Sequence, residues 1–212
     1  MQHLTHNTLR YNLAHPKDFD PAQKYPLVIY VHGAGGRGHD PANIGFSYQL
    51  ETYMEKHGLP VMVAAPLCEF DNWYMCFTEL VEFIRFAATI DNVDPDRVYV
   101  MGASMGGYAT WALLMCVPEL IAAAAPICGG GMAWNAARMK DVPIWAFHGV
   151  EDPVVAVTES VGMYNSLRHS GGNVKLTLLN LPLESAHNAW DPALYEHGVV
   201  EWMLTHRLSN RA

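Results

Sequence analysis

Apolar and polar positions along this chain follow two periodicities that alternate. Apolar runs of strand length stand at Leu27–Val31, Val61–Ala65, Val98–Met101, Ala122–Ile127 and Ile144–Phe147, with a more mixed one at Lys175–Leu179. A run that is apolar on both faces is what a parallel strand buried between two helical layers requires. Helical spacing fills the gaps. Tyr48–Lys56 ends at Gly58 and Pro60, and Glu79–Ile90 carries Leu80, Phe83, Ile84 and Ala87 on one face. A third segment runs through Ala109, Leu113 and Leu114. Thr158–His169 carries Val161, Tyr164 and Leu167 and stops at Gly171-Gly172, and Pro192–Leu208 opens on a proline suited to a first helical turn. Asp94–Arg97 reads as a turn into the third strand. The alternation predicts an α/β fold: a three-layer α/β/α sandwich with a mostly parallel sheet. The stretch Cys128–Pro143 leaves room for a minimal cap at most. No linker or internal repeat interrupts the pattern, so a single domain over 1–212 is expected.

Composition narrows the classes. Of 212 residues, 50% are apolar and 16% charged, which is the balance of a chain that buries a core. The net charge of -8 opposes binding to nucleic acid or an anionic membrane, since both need a basic face. Met1–Asn7 is polar and lacks a basic stretch followed by an apolar one. The longest apolar run, Ile121–Ile127, is too short to span a bilayer, so a cytoplasmic location is expected. Cys68, Cys76, Cys116 and Cys128 form no C-x-x-C pair and no Cys/His metal spacing. Buried free thiols are expected, with no metal and no organic cofactor. Cys68 and Cys76 flank a loop and can approach each other.

The chemistry centres on Gly102-Ala103-Ser104-Met105-Gly106-Gly107, between an apolar strand and a helical pattern. Gly-x-Ser-x-Gly in that context is a nucleophile elbow, which holds the serine at the tip of a tight strand-to-helix turn. A serine hydroxyl needs a base within hydrogen-bond reach and a third group to orient that base. The elbow architecture places them in chain order: an acid past a later strand end, then a histidine in a loop after the next strand. Asp152, just after Ile144–Phe147, fits the acid. Glu151 is the runner-up, and Asp141 lies at the wrong strand edge. His187, in Leu183–Trp190, fits the base; it alone among eleven histidines has the right order and loop context, while His148 reads as a brace for the acid loop. An oxyanion hole needs preorganised N–H donors. The backbone N–H of Met105 is one. The loop His32–Gly38 supplies the other, from Ala34 in the first place and Gly35 in the second. That loop lacks the Gly-Lys-Ser/Thr ending of a phosphate-binding loop and the spacing of a dinucleotide fingerprint.

Three stretches, His32–Gly36, Gly102–Tyr108 and His187–Trp190, resemble the α/β-hydrolase superfamily, and the resemblance extends from Leu27 onward. Within it they are similar to small single-domain esterases near the dienelactone hydrolase, phospholipase/carboxylesterase and polyhydroxybutyrate-depolymerase-like groups. Dienelactone hydrolases carry a cysteine nucleophile, whereas this position is Ser104. The resemblance therefore implies a serine carboxylesterase acting on small esters of short or aromatic acyl groups, carbohydrate-linked ones included. Gly35, Trp73, Trp134 and Trp190 fall in loops expected to border the substrate. A prolyl-oligopeptidase-type peptidase and a non-catalytic binding protein on the same fold are the alternatives. Nothing in the sequence speaks to oligomeric state.

Overall fold

The computed structural model describes residues 1–211. Eight strands form one sheet: β1 (Gln2–His6), β2 (Leu9–Ala14), β3 (Tyr25–Val31), β4 (Met62–Pro66), β5 (Val93–Ala103), β6 (Ala123–Ile127), β7 (Ile144–Gly149) and β8 (Val174–Leu179). Their spatial order is β1-β2-β4-β3-β5-β6-β7-β8. β1 and β2 pair antiparallel, as do β2 and β4, and every later pair is parallel. The helices are α1 (Gly45–Lys56), α2 (Phe77–Ala87), α3 (Met105–Cys116), α4 (Thr158–His169), α5 (Trp190–Tyr195) and α6 (Val199–Leu204).

The apolar runs are continuous because both sheet faces are covered. Along β3, Leu27, Ile29 and Val31 join the cluster that holds Leu80 and Phe83 of α2 and Leu113 of α3. Val28 and Tyr30 point the other way, among Leu50 of α1, Leu194 of α5 and Met203 of α6. These are three layers, with α2, α3 and α4 on one face and α1, α5 and α6 on the other. Each fully buried Leu or Phe contributes about 1.5–3 kcal/mol of transfer free energy. This is the α/β-hydrolase fold. Residues 128–143 hold only a short 3-10 segment, Ala133–Met139, so the carboxyl ends of the central strands carry no cap beyond it. No helix among the described residues is long and apolar enough to cross a membrane.

Several elements differ from the sequence expectation. β1 and β2 lie in a stretch to which the sequence pattern assigns nothing. β1 is an edge strand, and only its Leu4 and His6 are partly shielded, so it carries no apolar signal. Asp94–Arg97 is not a separate turn but the irregular start of β5. The register against β3 shifts between Tyr25 and Leu27, and the Asp96 N–H donates to Asp94 Oδ1 at 3.1 Å. The expected helix Pro192–Leu208 is two helices, α5 and α6. Gly198 between them sits at φ +61°, ψ 43°, in the left-handed region that ends helices. Cys116 is exposed rather than buried, since it closes α3 on its outer side.

The elbow between β5 and α3 requires its glycines, Gly107 included, where a Cβ would run into the Ile127 carbonyl oxygen. A Cβ on Gly102 would stand 2.5 Å from the Gly106 carbonyl oxygen and 2.7 Å from that of Val31. One on Gly106 would run into the Val31 carbonyl and stand 2.8 Å from that of His32. These obstacles are backbone and cannot swing aside. Gly106→Ala is expected to lower the unfolding free energy by more than about 3 kcal/mol, read as a fall in the urea midpoint at unchanged slope.

Candidate active site

Three loops at the carboxyl ends of β5, β7 and β8 bring Ser104, Asp152 and His187 together. Ser104 sits at φ 56°, ψ -119°, outside the favoured regions for a residue with a side chain. Such a backbone costs about 1–3 kcal/mol and persists only where the surroundings enforce it. The Ser104 N–H donates to the Ile127 carbonyl at 2.9 Å, and the Ser104 carbonyl accepts from Tyr108 N–H at 3.1 Å within α3. The turn is thus held from both sides, with the hydroxyl projecting from its tip.

His187 Nε2 lies 2.9 Å from Ser104 Oγ, and His187 Nδ1 lies 2.7 Å from Asp152 Oδ2. An ionised carboxylate only accepts, so Nδ1 carries the proton and Nε2 is free to accept the serine O–H. The Asp152 side chain is fully shielded from solvent. Burial alone pushes its pKa up. The hydrogen bond from His187 and those from the Val155 and Val154 N–H groups to Oδ1, at 3.0 and 2.8 Å, outweigh burial and hold it below the usual carboxylate range. Glu151 is exposed and makes no such contacts.

His148 stands behind this pair. It is fully buried, and burial lowers its pKa, so it is neutral near pH 7. Its Nε2 lies 2.9 Å from the Val155 carbonyl oxygen and its Nδ1 2.7 Å from Ser160 Oγ, which is itself 2.9 Å from the Gly129 carbonyl oxygen. Nε2 also stands 3.4 Å from Asp152 Oδ2. His148 therefore fixes the acid loop on α4, the bracing expected from the sequence. Ser160 was not legible as part of it, because a serine on a helix carries no signal of what it faces.

The loop after β3 forms a 3-10 turn, Ala34–Gly36. Its internal bonds use the N–H groups of Gly36 and Arg37, and those of Ala34 and Gly35 donate to no backbone carbonyl among the described residues. Met105 is the first residue of α3, where N–H groups have no partner within the helix. Buried His32 anchors the loop. Its Nδ1–H donates to the Gly33 carbonyl at 2.7 Å, and its Nε2 accepts the Cys68 N–H at 2.9 Å. Burial takes its pKa down to about 4, against an opposing effect of the Gly33 bond, so the ring stays neutral.

A cavity of about 410 Å³ opens beside Ser104 and His187, and Ala34 and Gly35 line it. Its apolar wall comes from Tyr30, Ile44, Phe46 and Trp190. Trp190 meets the His187 ring edge-on at 5.7 Å. The other two tryptophans expected there are elsewhere. Trp73 is 1% exposed, and its indole N–H donates to the His32 carbonyl at 2.9 Å, so it fastens the Ala34 loop from behind. Trp134 is 81% exposed and lies outside the cavity wall. Tyr30 was missed because it reads as a strand residue, and Phe46 because it precedes the expected helix Tyr48–Lys56, whereas α1 starts at Gly45. Cys128, at φ 40°, offers a sulfur within 4.8 Å of ligand atoms of Asp152 and His187. Burial pushes that thiol up to about 12, and the other two groups are already paired, so the trio is ill suited to a cation.

With this geometry in place, the chain can be compared with known proteins. Residues 68–131 match the model of the prolyl oligopeptidase family. A bifunctional acetylxylan esterase/xylanase of Neocallimastix patriciarum is 27% identical over 153 residues, 69% of this chain and 22% of that protein. Among solved structures, a thermostable esterase is 35% identical with a TM-score of 0.83, over 94% of this chain and 59% of the other. A protein assigned as a dienelactone hydrolase, from Klebsiella pneumoniae subsp. pneumoniae, has a TM-score of 0.62 at 17% identity, over 88% and 91% of the two chains; at that identity it speaks to the fold alone. The chain thus spans about a fifth of the curated relative and somewhat over half of the thermostable esterase. The comparisons agree with the α/β-hydrolase fold, and two of the matched proteins are named as esterases.

Proposed function

From a chain that carries the α/β-hydrolase fold, we propose a serine carboxylesterase that hydrolyses small esters through an acyl-enzyme on Ser104. The observation that carries this reading is the continuous relay Ser104 Oγ–His187 Nε2–His187 Nδ1–Asp152 Oδ2, at 2.9 and 2.7 Å, on the wall of an apolar cavity. His187 takes the serine proton as Oγ attacks the ester carbonyl. The N–H groups of Met105 and Ala34 receive the charge that builds on the carbonyl oxygen. His187 then passes its proton to the leaving alcohol, and a water molecule releases the acid by the same route. Asp152 holds the imidazole tautomer and stabilises the imidazolium.

The cavity supports the substrate class. About 410 Å³ walled by Tyr30, Phe46 and Trp190 accommodates a short acyl chain or one aromatic ring. The absence of a larger cap between β6 and β7 leaves the alcohol side open, which suits a sugar or another bulky alcohol. The match to the prolyl oligopeptidase family over residues 68–131 favours a second reading, a peptidase. Nitrophenyl esters of graded acyl length, methyl ferulate, an acetylated sugar and a peptide nitroanilide separate the two. Turnover is expected on acetyl, butyryl and aromatic acyl esters, falling steeply for long chains. Faster cleavage of the peptide amide than of every ester would overturn the esterase reading.

A further inference from the structure

Behind the Ala34 loop lies a pair of thiols that the proposed reaction does not use. Cys68 and Cys76 are buried, at 0% and 1% exposure, and their sulfurs stand 3.8 Å apart. They bracket the segment that backs the loop. The Cys68 main chain is bonded to the loop at both ends: its N–H donates to His32 Nε2 at 2.9 Å, and its carbonyl accepts from Gly38 N–H at 3.2 Å. Within the bracket, Trp73 Nε1–H donates to the His32 carbonyl at 2.9 Å, and the Asp71 carbonyl accepts from Arg37 at 2.8 Å. A displacement of Cys68 is therefore passed directly to residues 32–38.

We propose that Cys68 and Cys76 form a disulfide-forming site, oxidised by a hydroperoxide, whose closure draws the Ala34 loop out of register with Ser104. A disulfide sets its sulfurs about 2.05 Å apart, so closure from 3.8 Å must move one or both cysteines. The reactive member is Cys68. Its own S–H points to the Phe70 carbonyl at 3.4 Å, which leaves its sulfur to accept from the Cys76 thiol; that bond lowers the Cys68 pKa against the opposing effect of burial and raises that of Cys76. The Cys68 thiolate attacks one peroxide oxygen and breaks the O–O bond, giving a sulfenic acid and a hydroxide, which leaves as water with the proton Cys68 gave up on ionising. The Cys76 sulfur then attacks the sulfenic sulfur. Its S–O bond breaks, the S–S bond forms, and the departing hydroxide takes the Cys76 proton. The two thiols lose two electrons, and the peroxide gains them.

The test treats the full chain with hydrogen peroxide, blocks remaining thiols with iodoacetamide and reads peptides by mass, alongside turnover of nitrophenyl butyrate. The expected result is a Cys68–Cys76 linked peptide, lighter by two hydrogens. A fall in kcat of about ten- to a hundredfold accompanies it, and dithiothreitol reverses both, which methionine oxidation would resist. Cys68→Ser and Cys76→Ser each remove the link and the loss, whereas Cys116→Ser, at an exposed thiol, keeps both. Stable sulfinic acid at Cys68 with Cys76 free, or a linked chain with unchanged kcat, would overturn the proposal. The linked peptide is read on the unaltered chain, so it depends neither on a variant's folding nor on the esterase reading. A chain with no esterase activity that still forms the link counts against the proposed function alone.

Discussion

Ser104→Ala is expected to cut ester turnover by about 10⁶-fold, leaving only what binding and the oxyanion donors supply. The size follows from what the residue does. No other hydroxyl or thiol among the described residues hydrogen-bonds to His187 Nε2; the neighbouring Cys128 thiol is buried and held protonated, its pKa raised to about 12. Alanine also relaxes nothing the fold depends on, because the Ser104 backbone bonds run through its N–H and carbonyl rather than its side chain. The variant should therefore fold, with an unchanged circular dichroism spectrum and urea midpoint. A fluorophosphonate probe should label the parent chain at Ser104 and leave the variant unlabelled. A variant that keeps more than about a hundredth of the parent kcat/KM would remove Ser104 from its proposed role. A parent chain that neither turns over esters nor takes the probe would favour a binding protein on this fold.

Asp152→Asn carries the second largest effect, about 10⁴-fold in kcat. The reason lies in the other oxygen of the carboxylate. Oδ1 accepts the Val154 and Val155 N–H groups at 2.8 and 3.0 Å, so an asparagine must keep its carbonyl there and turn its amide N–H toward His187. His187 Nδ1 then has to accept, its proton moves to Nε2, and the ring presents a donor to Ser104 where the reaction needs an acceptor. The shape of the site survives and its base is lost. Glu151→Gln is the matched control. That side chain is exposed, and its kcat should stay within about twofold of the parent. Equal losses from the two variants would mean that the adjacent carboxylate takes part.

The relay was legible in the chain because each member carries a local signature. Ser104 is marked by glycines two residues to either side, and contacts with the Val31, His32 and Gly106 carbonyls give those glycines a steric reason. Asp152 and His187 are marked by chain order relative to apolar strands. The Ala34 loop is marked by its glycines. The walls of the cavity had no such mark. Trp73 and Trp190 look alike in sequence, each an aromatic in a loop after a strand. One is fastened under the Ala34 loop by a hydrogen bond to His32, and the other faces His187. Tyr30 reaches the cavity because β3 alternates its side chains between two layers, and Phe46 because α1 starts against that same end of the sheet.

Hydrophobic periodicity determined the layered fold, since a strand apolar on both faces has no stable place except between helices. Local turn chemistry determined the nucleophile. Tertiary structure alone decided the distances that join Ser104, His187 and Asp152, the aromatic side chains that meet the ligand space, and the approach of Cys68 to Cys76. Those depend on packing between segments, for the relay on residues 35 and 83 positions apart, and on small displacements that a pattern of residue types does not encode. A strand's periodicity is set by its own backbone, but a contact between loops is set by everything packed beneath both of them.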